Sequence, residues 1–183
     1  MNGPAPSARS RRGRDAAPPV SAVRARGGFA YPDPMRFDEL TTYLYEHIPL
    51  TRALGLVAQG WDGRTLSLRA PLEPNRNHRG TAFGGSLSAL AIVTGWAALH
   101  LALGERASHL RVVIQRSTLD FEAPVVGEFS AVASVPEGDA WARFLRGLTR
   151  RRRARIAIPC AIRSGGRIAG RHEGVYAALP LAG

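Results

Sequence analysis

Asn75-Arg76-Asn77-His78-Arg79-Gly80-Thr81-Ala82-Phe83-Gly84-Gly85-Ser86-Leu87 is the stretch on which the fold turns. It leaves a proline-bounded strand pattern, crosses a polar turn and enters the most hydrophobic run of the chain. That run, Gly84 to Leu103, carries no charged residue. A glycine pair that opens a buried helix leaves backbone N–H groups free where a carbonyl oxygen or an anion can sit. The rest of the chain is expected to wrap this helix, with any chemistry at its start. About 20 apolar residues also reach the length of a bilayer span. The opening glycines, Ser86, Ser88, Thr94 and His100, and the strand-like sequence on both sides, favour a buried core helix and no membrane.

Outward from the helix the pattern is mostly strand. Upstream, Phe37, Leu40, Tyr43 or Leu44, and Ile48 recur at helical spacing. Pro49 interrupts, and Leu50 to Leu54 predict a second short turn. Gly55 to Trp61 and Thr65 to Pro71 read as two strands joined at Asp62-Gly63, a hairpin signal. Downstream, Gly104 suits the end of the helix. A strand follows from Leu110 to Glu122, with Val112, Ile114, Leu119 and Phe121 on a buried face and room for a bulge. Gly127 to Val135 alternates again, placing Phe129, Ala131, Ala133 and Val135 on one side. Trp141, Phe144, Leu145 and Leu148 sit at helical spacing. Arg150 to Arg153 lead into a strand from Ala154 to Ile162, and Ser164-Gly165-Gly166 turns into a last strand, Arg167 to Leu179. Strands this close in sequence pair antiparallel. The fold expected is α+β, an antiparallel sheet wrapped around one long central helix.

Composition narrows the classes of function. The 183 residues suffice for one domain with a substantial core. Net charge is +11, and all 25 basic residues are arginine. A basic surface suits nucleic acid or an acidic carrier, but no recognition motif or stacking platform is present, so nucleic-acid binding is not expected. A bias toward Arg and Ala accounts for most of the charge. Cys160 is the single cysteine, so no internal disulfide can form and nothing suggests secretion. Within Ile156 to Ile162 it reads as a small core residue. Residues 1–34 hold six of the 13 prolines and few large apolar residues. They read as a disordered Arg/Pro-rich tail, with Met35, where foldable sequence begins, as a possible true start. The folded domain is expected over 35–183, in the cytoplasm.

Several blocks together resemble a known family. Ile48 to Gly55, Ala70-Pro71-Leu72, Asn75-Arg76-Asn77, Gly80 to Leu87 and Gly95-Trp96 resemble the thioesterase domain known from the YiiD C-terminal region, within the hot-dog superfamily. Val113-Ile114, Pro124-Val125 and Arg153 to Ile156 extend the likeness, which covers about Arg36 to Leu179. The resemblance implies the hot-dog fold and a homodimer, or a dimer of dimers, whose sheets join edge to edge with active sites at the interface. It implies an acyl thioester of coenzyme A or acyl carrier protein as substrate, fatty acid metabolism as the setting, and no cofactor. A hot-dog dehydratase or isomerase and a non-catalytic acyl-thioester binder are the rival readings.

Thioester hydrolysis needs a polarised carbonyl, a positioned nucleophile and a dry slot for the acyl chain. Backbone N–H groups at Gly84, Gly85 and Ser86, reinforced by the helix dipole, can supply the first. Many hot-dog thioesterases carry an Asp or Glu on the central helix. This helix has none, and Glu105 lies about 30 Å from the N-terminus. Asn77 is expected to orient a water through its amide, and His78 to act as general base. Thr81, Phe83 and Ser88 are expected to line the substrate slot. Ser86 and Ser88, about 200° apart on the helix, cannot serve one point together. Asp120 and Glu122 are surface strand residues unless they reach the partner subunit's site. Arg152, within the Arg150 to Arg153 run, can meet coenzyme A phosphates or an acidic carrier; a solvated strand entrance explains the run equally well. The histidines show no metal-ligand spacing, and no metal is expected.

Overall fold

The computed structural model describes residues 35–181, so the expectations for residues 1–34 lie outside the described residues. The chain begins with a 3-10 turn at Phe37–Glu39, then α1 (Leu40–His47) and α2 (Pro49–Leu54). Pro49 sits in the first turn of α2, where its missing N–H has no partner to lose. Leu40 and Leu44 of α1 are fully buried, as their helical spacing predicts. β1 (Val57–Trp61) and β2 (Thr65–Ala70) form the expected hairpin. The Asp62 carboxylate accepts from the N–H groups of Arg64 and Thr65 and so ties the turn.

Then come α3 (Gly84–Leu103), β3 (Leu110–Phe121), β4 (Phe129–Ser134), α4 (Gly138–Arg151), β5 (Ala154–Ser164) and β6 (Arg167–Pro180). All strand pairs are antiparallel, in the order β1-β2-β4-β5-β6-β3. This is the α+β hot-dog arrangement, six strands curled around one central helix. A bulge falls between Ile114 and Arg116 of β3.

Apolar residues recur all round α3, and the sheet covers most of them: Leu87, Leu90, Ala91, Val93, Ala97, Ala98, Leu99 and Leu103 are buried. Gly84–His109 is apolar and long enough to cross a membrane by length and composition; here it is the core helix. From the sheet, alternate residues face it: Leu66 and Leu68, Phe129 to Ala133, Ile156 to Ile162. Cys160 belongs to this buried row, and burial pushes its thiol up to about 12. Gly95 marks the closest approach of helix to sheet. A Cβ there would stand 2.4 Å from the Tyr176 Oη. That hydroxyl, held protonated by burial, donates to the Ile92 carbonyl at 2.9 Å. Trp96 Nε1 donates to the Val112 carbonyl at 3.1 Å and fastens the helix to β3.

The face expected to be buried on β3 is covered only in part. Val112 is buried, Ile114 and Leu119 are half-buried, and Phe121 is 58% exposed. Phe121 meets only the first turn of α3, at Gly84, and the rest of its ring is open to solvent.

Candidate functional site

The turn before α3 is built by two asparagines. Asn75 is buried, and its Nδ2 donates to the carbonyls of Leu54 and Pro71, both at 2.8 Å. It therefore pins the turn to the end of α2 and the exit of β2. Asn77 spends its whole amide inside the turn. Its Nδ2 donates to Thr81 Oγ1 at 2.9 Å and to the Ala82 carbonyl at 3.3 Å. Its Oδ1 accepts from the N–H groups of Arg79 and Thr81. The Asn77 amide is thus committed to shaping the turn. The ends close by backbone bonds, Phe83 N–H to the Asn75 carbonyl at 2.7 Å and Ala82 N–H to the Val125 carbonyl at 2.8 Å.

Phe83 is the last extended residue (φ −68°, ψ 132°) and caps the helix without a side-chain bond. Its carbonyl accepts from Ser86 N–H at 2.9 Å and Leu87 N–H at 3.2 Å. The N–H groups of Gly84 and Gly85 have no acceptor among the described residues. Two free donors thus sit at the positive end of a 20-residue helix. Both glycines lie close under exposed aromatic rings. A Cβ on Gly84 would lie 3.2 Å from the Phe121 ring, and one on Gly85 would lie 2.3 Å from Phe83 Cε1.

A groove of about 370 Å³ opens beside these donors, lined by Ala82, Gly84, Leu87, Phe121, Glu122 and the Ala123 to Val125 segment. Its walls are apolar apart from Glu122. Phe83, Phe121 and Val126 are exposed nearby. Glu122, expected on the surface unless it reaches the partner subunit's site, is exposed. It follows the last residue of β3 and lines the groove of its own subunit, with a carboxylate oxygen 2.8 Å from Arg171 Nε. The signal available was its place just before Ala123-Pro124, where the strand must end and the chain must turn.

The other candidates are spread more widely. His78 is exposed on the turn, and its Nε2 accepts from Arg79 Nε at 3.2 Å. Thr81 is engaged by Asn77. Ser86 is half-buried in the first turn of α3, and Ser88 Oγ is committed to the Gly84 carbonyl at 3.0 Å. Arg152 lies elsewhere, at the end of α4. It precedes Ala154, whose β6 partner is Ala178, whereas Gly170 is the partner of Phe121 beside the groove. One further pair was not foreseen. His172 is 3% exposed on the helix-facing side of β6, with its Nε2 2.9 Å from Ser117 Oγ. Burial lowers its pKa, against the raising effect of Glu173. Among the described residues no three His, Cys, Asp or Glu side chains gather as a metal site.

A family profile described as "Putative thioesterase (yiiD_Cterm)" matches residues 37–180. The chain belongs to that family. Solved structures share the fold of this thioesterase-family chain. A protein of unknown function from Chlorobaculum tepidum is 31% identical, with 79% of this chain and 94% of that one covered and a TM-score of 0.74. A "putative thioesterase" from Shewanella oneidensis is 22% identical over 79% of this chain and 97% of that one, with a TM-score of 0.69. A thioesterase from Haemophilus influenzae is 16% identical over 81% and 94%, with a TM-score of 0.65. In this family member the candidate site brings free helix-start donors beside an apolar groove.

Proposed function

We propose that the protein is an acyl thioesterase that hydrolyses coenzyme A or acyl-carrier-protein thioesters in the cytoplasm. The observation that carries this reading is the pair of unpartnered N–H groups at Gly84 and Gly85, opening onto an apolar groove. The acyl chain lies along Leu87, Phe121 and Val125. The carbonyl oxygen points at the two N–H groups, which stabilise the negative charge that develops as water attacks. Glu122 takes the proton from that water, because it brings the one carboxylate among the residues lining the groove. The C–S bond then breaks, and the thiolate leaves and is protonated. His78, exposed on the same turn, is the competing base. Ser86 starts the helix, Asn77 and Thr81 hold the turn, and Phe83 and Ser88 border the slot.

The active unit is a homodimer. β3 is a sheet edge 12 residues long, far longer than the five-residue β1 at the other edge. An exposed edge of that length invites pairing. Joining two β3 edges also covers Phe121 and brings a second subunit to the groove.

The test is a hydrolysis screen over short to long acyl thioesters with the wild type, Glu122→Gln and His78→Ala. Thiol release by the wild type, lost in Glu122→Gln and kept in His78→Ala, supports the reading. The reverse pattern transfers the base role to His78. Binding without turnover across the whole series makes the protein an acyl-thioester binder instead.

A further inference from the structure

We propose that the arginine-bearing shoulder formed by α4 and the outer face of the sheet docks on an anionic phospholipid surface. This surface is independent of the thioesterase reading, because the groove beside Gly84 opens on the opposite, helix-bearing face of the sheet.

The charge there is concentrated as well as abundant. Residues 140–172 hold ten of the 25 arginines and none of the 14 acidic residues. A bias toward arginine does not by itself empty such a stretch of acids. Seven of the ten, Arg143, Arg146, Arg150 to Arg153 and Arg155, fall within thirteen residues. All seven are exposed, and none forms an ion pair among the described residues. Arg155 donates to Gln115 Oε1. Elsewhere Arg64, Arg69, Arg116 and Arg171 each face a carboxylate.

The fold gathers these arginines on one side. Arg143, Arg146 and Arg150 recur at spacings of three and four and form a stripe along α4. Arg143 and Arg151 border a cavity of about 520 Å³ together with Arg153 and Arg155, so helix and strand arginines share a side. On β5, Ile156 and Ile158 are buried on the side of α3, and Arg155 lies on the other face. Its rung continues through Ala177 of β6 to Val113 of β3. The flanking rungs on this face carry Leu179 with Arg111, and Ala157 with Val175. Arg111 is exposed, and Val113, Val175 and Leu179 are half-buried. The first acid along this face of β6, Glu173, is paired with Arg116. A small apolar floor thus has guanidinium groups around it. α4 adds charge and little apolar surface, since Phe144 is buried and Trp141, Leu145 and Leu148 pack on the core.

Charge and extent select the partner. α4 is about 21 Å long, and three strands continue the surface for about 10 Å. Anionic headgroups of a bilayer meet all of it, and arginine stems cover apolar neighbours while their heads reach phosphates. A second copy of the chain brings the same charge and is repelled. A nucleic acid finds no exposed aromatic residue here on which to stack bases, since exposed Phe83 and Phe121 lie by the groove. From the Ala154–Ala178 rung to the Gly170–Phe121 rung is about 27 Å of strand, so docking leaves the groove open to water.

The test is co-sedimentation of the full-length protein with vesicles of equal parts phosphatidylcholine and phosphatidylglycerol. The wild type is expected to bind these, to bind phosphatidylcholine alone far less, and to be released as added salt screens the charge. Arg150→Gln/Arg151→Gln/Arg153→Gln breaks no ion pair among the described residues. It is expected to lower the partition coefficient about a hundredfold. Arg150→Lys/Arg151→Lys/Arg153→Lys keeps the charge and is expected to bind like the wild type. Arg9→Gln/Arg11→Gln/Arg12→Gln removes as much charge from outside the patch and is expected to change binding little. No binding by the wild type, equal binding to neutral vesicles, or equal losses in the two glutamine variants overturns the proposal. Tighter binding of an RNA or an acidic protein than of the vesicles, lost in the first variant, assigns the surface to that partner and also defeats it.

Discussion

Replacing Gly85 by alanine and by proline separates the backbone donor from the space around it. Both substitutions place a Cβ where the Phe83 ring now lies, 2.3 Å away. That ring is 58% exposed and can swing toward solvent, at about 0.5–1.5 kcal/mol for an off-rotamer side chain. Alanine keeps the N–H and gains helix propensity, so Gly85→Ala should unfold within about 1 kcal/mol of wild type. Proline removes an N–H that has no acceptor among the described residues, in the first turn of a helix, where proline is tolerated. Gly84 has no Cβ to clash with the proline ring. Gly85→Pro should therefore also fold, with a urea midpoint near that of Gly85→Ala. Catalysis should separate them. Loss of one oxyanion donor lowers kcat by about 10²–10³, or about 2.7–4 kcal/mol. The assay is thiol release from an acyl-coenzyme A at saturating substrate, read as the ratio of the two variants. Equal kcat values in two folded variants would refute the placement of the oxyanion at Gly85.

Three further outcomes follow from other parts of the molecule. Gly95→Ala drives a methyl into the Tyr176 hydroxyl and should destabilise by about 1–3 kcal/mol; a urea midpoint equal to wild type contradicts the tight helix–sheet contact. His100 is 5% exposed, and burial lowers its pKa to about 4. Unfolding lets it take a proton below about pH 6.5, so its contribution is full above that pH and is lost as pH falls toward 4, by about 3 kcal/mol in all. His100→Phe should flatten the stability profile between pH 6.5 and 4, which urea titrations at stepped pH will show. Asn75→Ala strips the donors from the Leu54 and Pro71 carbonyls and should cost about 1–3 kcal/mol, whereas Asn77→Ala should mainly raise KM by loosening the turn; comparable losses of stability in both place the two asparagines in one role.

The sequence is legible where a local rule has no competitor. α3 spans Gly84–Leu103 as its apolar run predicts, because charge disappears at one end and Gly104 stops the helix at the other. Asp62-Gly63 makes its hairpin for the same reason. Strand order is less legible. β3 and β4 are neighbours in sequence, yet β3 lies at the edge beyond β6 and β4 lies between β2 and β5. The link between them passes under the start of α3, where Val125 is buried and receives the Ala82 N–H. Nothing in either strand's alternation encodes that crossing. Alternation also says which face a residue shares and not whether that face is covered, so Phe121 was expected inside and stands 58% exposed. Asn75 shows the opposite case. A polar side chain is usually exposed, but this one is 2% exposed because two carbonyls from different elements need its donors.

The absence of an acid on α3 is intelligible once the helix is seen in place. Its middle is packed on Tyr176 and the apolar rows of the sheet, and a carboxylate introduced there would need a partner to remain charged. At the end of β3 a carboxylate meets no such demand. Glu122 keeps contact with water, pairs with Arg171 and still lines the groove beside Gly84. The helix then supplies only fixed donors, and the sheet supplies the charge. Such a division explains why the helix entry is all backbone, with glycines at both free N–H positions and no side-chain cap. On the proposed reading, catalysis is tied to the edge strand, since the residue that follows β3 is the proposed base and β3 is the proposed pairing edge of the dimer. A substitution that disorders β3 pairing should therefore reduce turnover even when α3 and its glycines are untouched.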